Sequence, residues 1–572
     1  MNTSTATARA LVSALLAAGV RDVVVSPGSR SAPLTYAVAE AAAAGLLDVR
    51  VRIDEREAGF LALGIAKGRR AAGTDRPVAV VTTSGSAVAN LHPAVLEASY
   101  GCLPLLALTA DRPARLRATG ANQTIDDQSL VLSDVRERFD LTAGPDAAAL
   151  AADVAATAVR LSMGEGFAGG RPPGPVQLNV QFDVPLVPDA ADPDAWWGSK
   201  ARLEREPVPL DSAFVRTVLP ALAGEVAALG GDAFGLSAER LGGLLAEFRV
   251  PVLAEPSSPL LRSPHLVTDH TRVLDARGDL VERITDLIVL GKPTLSRQDQ
   301  RLLSRPGLRV HRVQPDLDQV AAEEWQAALA QALPEVPTGR DAWTAAWLDA
   351  ARTVQPDEHS APPAARGGTP HADLDDGPAH LDDPAHLDDP AHLDGSAPLT
   401  GEAAAAAVAG APGTVYIGSS NAVRYLDRVL APGAPVEVFA SRGLAGIDGL
   451  VSTAIGFAAG SGRPVRLLLG DVSLLHGIGG LLRESEEPLP PVQIFVLNDD
   501  GGAIFAGLEH GRPHLAVHFP RFFATAHGRT FAELARGYGW PYAVCRTTAE
   551  VGAAVAAGEP GVYEIPIVPV LG

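Results

Sequence analysis

Two stretches of this sequence place acids where a folded chain can use them. In "LLLGDVSLLHGIGGLLRESEEPLPPVQIFVLNDDGGAIF" (467–505) one apolar strand pattern ends in Gly470-Asp471 and a second ends in Asn498-Asp499-Asp500-Gly501-Gly502. Parallel neighbouring strands would bring Asp471 and Asp499 to one edge of a sheet. Two carboxylates and a backbone carbonyl make half of a Mg2+ octahedron, which phosphate oxygens and water complete. Asp, Asn and Gly are also ordinary turn formers, so spacing alone leaves both readings open. In "VRIDEREAGFLALGIAKG" (51–68) Glu55 stands where an alternating strand passes into a helix rich in Ala, Gly and Leu. Acids at such a junction commonly cap the helix or pair on the surface, because unpaired N–H groups and the macrodipole favour negative charge there. Four Gly-rich segments also follow strand patterns: "SPGSRSAPL" (26–34), "TTSGSAVAN" (82–90), "IGSSNAVR" (417–424) and "SRGLAGIDG" (441–449). Loops at the carboxyl ends of parallel strands bind ligands, and helix N-termini there attract phosphate or carboxylate. None of the four is a GxGxxG opening a βαβ unit, so a dinucleotide site is unsupported.

Positioning these loops requires strands that end together. Residues 1–186 alternate helical patterns with "DVVVS", "LDVRVRI", "PVAVVTTSG", "LPLLALTAD" and "GPVQLNVQF", which predicts a parallel sheet covered on both faces. Residues 187–355 are again α/β, with sparser strands "VPVLAEP", "DLIVLG" and "LRVHRVQ". The pattern returns over 399–572 with "TVYIGSS", "VEVFASRG", "PVRLLLGD", "VQIFVLNDDGG" and "GVYEIPI". Between them, 356–398 holds a tandem PAHLDD unit with His380, His386 and His392 six residues apart. Proline in every unit and no apolar face predict a disordered acidic linker, with nothing to preorganise its His and Asp as metal ligands.

A chain of 572 residues exceeds one core and suggests about three or four domains. Its formal net charge of -20 argues against nucleic acid as the main partner, since phosphate binding needs a basic surface. Two cysteines, Cys102 and Cys545, make no disulfide framework and fit a reducing cytoplasm. The run "ALVSALLAAGV" (10–20) reads as a helix leading into a strand rather than as a signal peptide. No apolar run reaches the roughly 18–20 residues of a membrane span, so membrane insertion is not expected.

Gly-Asp, a gap, then Asn with an acid resembles the metal-binding pattern of thiamine diphosphate-dependent enzymes. Within them the chain is similar to the menaquinone-pathway family of 2-succinyl-5-enolpyruvyl-6-hydroxy-3-cyclohexene-1-carboxylate synthases. The segments carrying the resemblance are "SPGSRSAPLT", "DEREAGFLALGIAKG", "TSGSAVANLHPAVLEA", "LTADRP", "GANQTID", "SRGLAGIDGLVSTAIG" and "NDDGGAIF", in the family's order at both ends of the chain. The middle block matches more loosely. The resemblance implies an α/β fold of three doubly wound parallel-sheet domains of the thiamine diphosphate-binding type. These are an aminopyrimidine-binding domain (1–186), a central domain (187–355) and, beyond the linker, a diphosphate- and Mg2+-binding domain (399–572).

It also implies roles. Glu55 matches the glutamate that hydrogen-bonds the aminopyrimidine N1', and a carboxylate in a partly apolar pocket has the raised proton affinity that this needs. Glu57 has no such match and is expected as a helix N-terminal acid. Asp471, Asp499 and the Gly501 carbonyl would hold Mg2+, with Mn2+ as a substitute, on the cofactor diphosphate. Gly470 and Ser420 would border the cofactor, and Ile447 would wedge between its rings unless it is a core residue. The implied substrates, 2-oxoglutarate and isochorismate, are carboxylates, which Arg grips with a planar fork. Arg30, Arg112, Arg424 and Arg442 fall in matching strand-end loops, with Ser29, Asn122 and Gln123. In the middle block Arg297 is preferred to Lys292 as the basic substrate contact. Phe505 and Leu508 are candidates for an apolar lid or for core. The family implies a homodimer or homotetramer in which Glu55 and Asp471 of different chains share a site. Two other readings stand beside this one: an acetolactate synthase-like decarboxylase, and a non-catalytic protein that retains the fold.

Overall fold

The structure is a computed structural model. It describes residues 1–166, 171–193, 195–198, 224–233, 242–243, 245–313, 338–354, 399–485 and 487–568. The acidic repeat at 356–398, with its three histidines, lies outside the described residues.

Short β-branched runs bounded by turn residues pair into three sheets. The first contains β1 (Asp22–Val25), β2 (Asp48–Val51), β3 (Val78–Thr82), β4 (Leu105–Asp111), β5 (Arg138–Leu141) and β6 (Pro175–Gln181), in the order β2-β1-β3-β4-β6-β5. The second contains β7 (Glu225–Gly230), β8 (Val252–Ala254), β9 (Ile284–Leu290) and β10 (Arg309–Val313), in the order β10-β9-β7-β8. The third repeats the topology of the first with β11 (Gly413–Ile417), β12 (Val436–Ala440), β13 (Val465–Gly470), β14 (Val492–Asn498), β15 (Tyr542–Val544) and β16 (Gly561–Pro566), in the order β12-β11-β13-β14-β16-β15. Every described strand pairing is parallel. Burial explains the strand composition: "VAVVT" of β3 and "LLALTAD" of β4 are buried at every position, as strands covered on both faces must be.

Three strands carry no apolar run that would announce them. β5, "RFDL", and β15, "YAV", are short edge strands whose side chains, apart from buried Leu141, are half-buried or exposed. β7, "EVAALG", is Ala-rich and reads locally as helix, yet it lies between β9 and β8 with nearly every residue buried.

The first and third sheets meet through two helices, Glu55–Ala71 and Leu450–Ser461. Gly64 and Gly68 on one, and Gly456 and Gly460 on the other, share a face through their four-residue spacing. A Cβ at Gly64 would stand 2.1 Å from the Thr453 carbonyl oxygen, and one at Gly456 would stand 2.2 Å from that of Leu61. The backbones therefore touch, and Phe60, Leu61, Ile65, Val451 and Phe457 join one core that spans both sheets. Gly456→Ala is expected to lower the melting temperature, since overpacking costs about 1–3 kcal/mol. Gly552→Ala, where a Cβ meets nothing within 4 Å, is expected to hold or raise it. Thermal unfolding of both variants checks the contact, and equal melting temperatures would show that these helices separate freely.

Candidate active site

β13 and β14 are neighbours with Gly470 opposite Leu497, so Asp471 and Asp499 emerge at the same edge of the third sheet. Asp471 opens the helix Asp471–His476. Its Oδ1 accepts the Val472 N–H at 2.6 Å, its Oδ2 accepts the Gly501 N–H at 2.9 Å, and His527 Nε2 lies 3.0 Å from Oδ2. Burial raises its pKa against these hydrogen bonds. Asp499 is pushed up to about 7, by burial first and by the Asp471 charge next. Asp471 is buried and Asp499 half-buried, and two such acids that repel one another suit a divalent cation. Among the described residues no three His, Cys, Asp or Glu side chains form a metal-holding group. A cation on this pair would need further oxygens from backbone, phosphate and water. Gly501 has φ +135°, and a Cβ there would stand 2.2 Å from the Ala524 carbonyl oxygen, so only glycine brings its N–H to Asp471.

The same edge carries the arginines. Ser420, at φ +71°, precedes the helix Asn421–Val429, and Arg424 Nη1 donates to the Ser420 carbonyl at 2.7 Å. Arg442, just past β12, is buried and donates to Thr294 Oγ1 of the middle block at 2.6 Å. Burial lowers the Arg424 pKa, and the nearby charges of Arg442 and Arg428 lower it further. Two crowded guanidinium groups out of bulk water suit an anion. Ile447 is half-buried in the loop ahead of Leu450 and lies outside the core clusters. Arg297 opens the helix Arg297–Leu303, is 66% exposed, and bonds both oxygens of Glu509 at 3.0 Å. Lys292 instead donates to the Gly443 carbonyl. Phe505 is exposed and packs on the rings of His510 and Phe523, and Leu508 is half-buried; neither is core.

At the edge of the first sheet, the helix cap belongs to Asp54, whose side chain accepts the Arg56 N–H at 2.8 Å. Glu55 is thereby left uncommitted by capping. It is half-buried and accepts a hydrogen bond from Asn90 Nδ2 at 3.2 Å. Glu57 lies in the first helical turn, as expected of a helix N-terminal acid. It is also 1% exposed, accepts the Ser452 hydroxyl at 2.6 Å, and has its pKa raised by burial, so it is an interior acid between two sheets. Arg30 donates to the Phe182 carbonyl at 2.8 Å, while its buried Nε has no partner among the described residues. Arg112 bonds Ser84 Oγ and, at 2.6 Å, the Gln123 carbonyl. Gln123, at φ +54°, donates back to the Ser84 carbonyl at 2.9 Å. Ser29 and Asn122 are exposed beside them.

The candidate residues thus form two groups, one at the carboxyl edge of each six-stranded sheet. Positive φ at the non-glycine residues Gln123, Ser420, Ala445 and Asp500 marks loops of both groups. Such backbone costs about 1–3 kcal/mol per residue and concentrates at functional sites. Sequence reading missed His527, Ser84 and Thr294. The first sits in "TAHGRT", which carries no strand-end pattern; the other two act through long-range contacts made only on folding, Ser84 to Arg112 and Gln123 and Thr294 to Arg442.

Residues 5–130 match the family described as thiamine pyrophosphate enzyme, N-terminal TPP binding domain. Over its whole length the chain is similar to benzoylformate decarboxylase from Polynucleobacter necessarius, with a TM-score of 0.65, 15% identity and 100% of both chains covered, a likeness of fold. Three relatives are named 2-succinyl-5-enolpyruvyl-6-hydroxy-3-cyclohexene-1-carboxylate synthase. That of Arthrobacter sp. (strain FB24) is 40% identical, covering 97% of this chain and 87% of the relative. That of Kineococcus radiotolerans is 39% identical, covering 99% and 96%. That of Nocardioides sp. is 37% identical, covering 98% and 94%. With this similarity running through all three sheets, the chain belongs to the 2-succinyl-5-enolpyruvyl-6-hydroxy-3-cyclohexene-1-carboxylate synthase family.

Proposed function

We propose that this chain is a thiamine diphosphate-dependent carboligase of menaquinone biosynthesis. It decarboxylates 2-oxoglutarate and joins the succinyl unit to isochorismate, giving 2-succinyl-5-enolpyruvyl-6-hydroxy-3-cyclohexene-1-carboxylate and CO2. The observation that carries this reading is an acid pair, Asp471 buried and Asp499 half-buried, on the same sheet edge as the crowded pair Arg424 and Arg442. The first suits a cation that grips a diphosphate; the second suits carboxylates, which arginine meets with parallel N–H donors.

When bound, thiamine diphosphate supplies the electron sink that decarboxylation of a 2-oxo acid requires. Asp471, Asp499 and the Gly501 carbonyl would hold Mg2+ or Mn2+, with Ser420 and Gly470 bordering the diphosphate and Ile447 supporting the rings. Glu55 would hold a proton at the aminopyrimidine N1'; its freedom from capping supports this. Arg30, Arg112, Asn122, Gln123 and Ser29 would bind substrate with Arg297, Arg424 and Arg442, and Phe505 and Leu508 would help exclude water. The unpartnered Nε of Arg30 supports an anion there. Segments 1–186, 187–355 and 399–572 would serve as aminopyrimidine-binding, central and diphosphate-binding units.

The active form would be a homodimer or homotetramer with Glu55 of one chain facing Asp471 of another. Ile53 and Leu444, beside these loops, are 73% and 51% exposed, which supports a partner surface there. Co-expressed Glu55→Gln and Asp471→Asn chains are expected to recover activity that neither has alone, because a mixed dimer holds one unaltered site. Verified mixed dimers without activity would place both groups in a single-chain site. Free Cys102 and Cys545 support a cytoplasmic location, and among the described residues no helix is long and apolar enough to cross a membrane.

The direct test incubates purified protein with thiamine diphosphate, Mg2+, 2-oxoglutarate and isochorismate and identifies the product by mass. Preference for pyruvate over 2-oxoglutarate would move the chain to an acetolactate synthase-like activity. No cofactor-dependent CO2 release from either acid would overturn catalysis altogether.

A further inference from the structure

The loop 440–444 that carries Arg442 is held by all three sheets. Lys67, buried in the Glu55–Ala71 helix, donates to the Ala440 carbonyl and lies 3.3 Å from Asp232 of the middle block. Tyr416 and Ser441 share a hydroxyl contact at 2.8 Å. Arg442 reaches Thr294, and Lys292 donates to the Gly443 carbonyl. The contact that fixes the loop's direction comes from Glu97 on the helix His92–Tyr100. Its Oε1 accepts the Gly443 N–H at 2.7 Å and its Oε2 accepts the Leu444 N–H at 2.6 Å. Both oxygens of one carboxylate therefore orient two successive peptide groups, immediately after Arg442. A Cβ at Gly443 would stand 2.5 Å from the Glu97 carbonyl oxygen, so the loop has no room to shift toward that helix.

We propose that Glu97 is a positioning residue for Arg442, setting from the first sheet the orientation of a substrate-binding arginine on the third; this rests on the anion-binding reading of Arg442. Sealing the interface would not require a carboxylate. An apolar side chain would fill the same space without the desolvation that burial imposes on an acid. Burial does raise the Glu97 pKa, opposed by the two N–H groups and by Lys67. What the charge adds is strong, directional acceptance by both oxygens. The middle block joins through Asp232, Lys292 and Thr294, so a displacement of any of the three sheets is felt at Arg442.

The test compares Glu97→Gln, Glu97→Ala and Arg442→Ala in holoenzyme reconstituted with thiamine diphosphate and Mg2+. Steady-state constants for 2-oxoglutarate and isochorismate are read beside cofactor affinity and melting temperature. Glu97→Gln keeps the shape but turns an amide N–H2 toward one of the two peptide N–H groups. It is expected to raise KM about 10-fold for whichever substrate Arg442→Ala affects, the scale on which small misplacements act. Cofactor affinity should stay at the parent value, and Glu97→Ala should raise KM further. If Glu97→Ala fails to fold, the Gln variant decides alone. An altered KM in Arg442→Ala with parental KM in the Glu97 variants, whatever their melting temperatures, would overturn the positioning role and leave the arginine reading intact. Parental constants in Arg442→Ala would overturn both.

Discussion

Glu55→Gln is expected to bind thiamine diphosphate normally and to slow deprotonation at the cofactor C2 by about 10²- to 10⁴-fold, the range of general acid–base contributions. Glutamine keeps the shape and one hydrogen bond but cannot share a proton with N1' as a carboxylic acid does. The structure separates this effect from a loss of fold. Asp54 caps the helix, so the Glu55 side chain is not needed to start it. The Gln variant should therefore melt at the parent temperature, whereas Asp54→Ala should lose about 1 kcal/mol of stability, the ordinary value of a cap. Quenched hydrogen–deuterium exchange at C2 of bound cofactor measures the first effect and a melting curve the second. Parental exchange in Glu55→Gln would remove Glu55 from the chemistry.

The strands that carry the candidate site were legible because physics marks them twice. β3, β4, β13 and β14 are buried runs of β-branched and aliphatic residues, and each ends in or runs into Gly, Ser, Asp or Asn where the chain turns at the sheet edge. Asp471 and Asp499 could be placed together from that pattern, since adjacent parallel strands end at the same sheet edge. Edge strands β5 and β15 lack the double burial, and β7 is spelled in alanine, so none was marked. What sequence could not show is contact between sheets. Glu97 meets Gly443 across 346 residues and Glu57 meets Ser452 across 395. In a helical pattern each appears only as an acid near an apolar face. Their roles arise from the glycine-mediated approach of the two central helices, which brings buried acids of the first domain onto a loop and a helix beside the third sheet.

Asp471→Asn is expected to abolish Mg2+-dependent retention of the cofactor while leaving the metal-free protein folded. In the free protein Asp471 and Asp499 repel one another, and this repulsion with burial holds Asp499 at about 7. Val472 and Gly501 donate to different oxygens of Asp471, so asparagine keeps one of these hydrogen bonds through its carbonyl oxygen and turns its amide N–H2 toward the other N–H group. It removes one of the two charges facing the cation. Altering even outer-shell partners of a metal costs about 10- to 100-fold in affinity, so losing a charged ligand should cost at least about 100-fold. Ligands that bind only the native state stabilise it in proportion to the logarithm of one plus the ratio of free ligand to its dissociation constant, and so raise its melting temperature. The parent should therefore melt higher with Mg2+ and thiamine diphosphate together than without, and Asp471→Asn should show no such rise at the same concentrations. This readout does not depend on turnover. A full ligand-induced rise in the variant would mean that the cation is held elsewhere, and that the acid pair serves the turn alone.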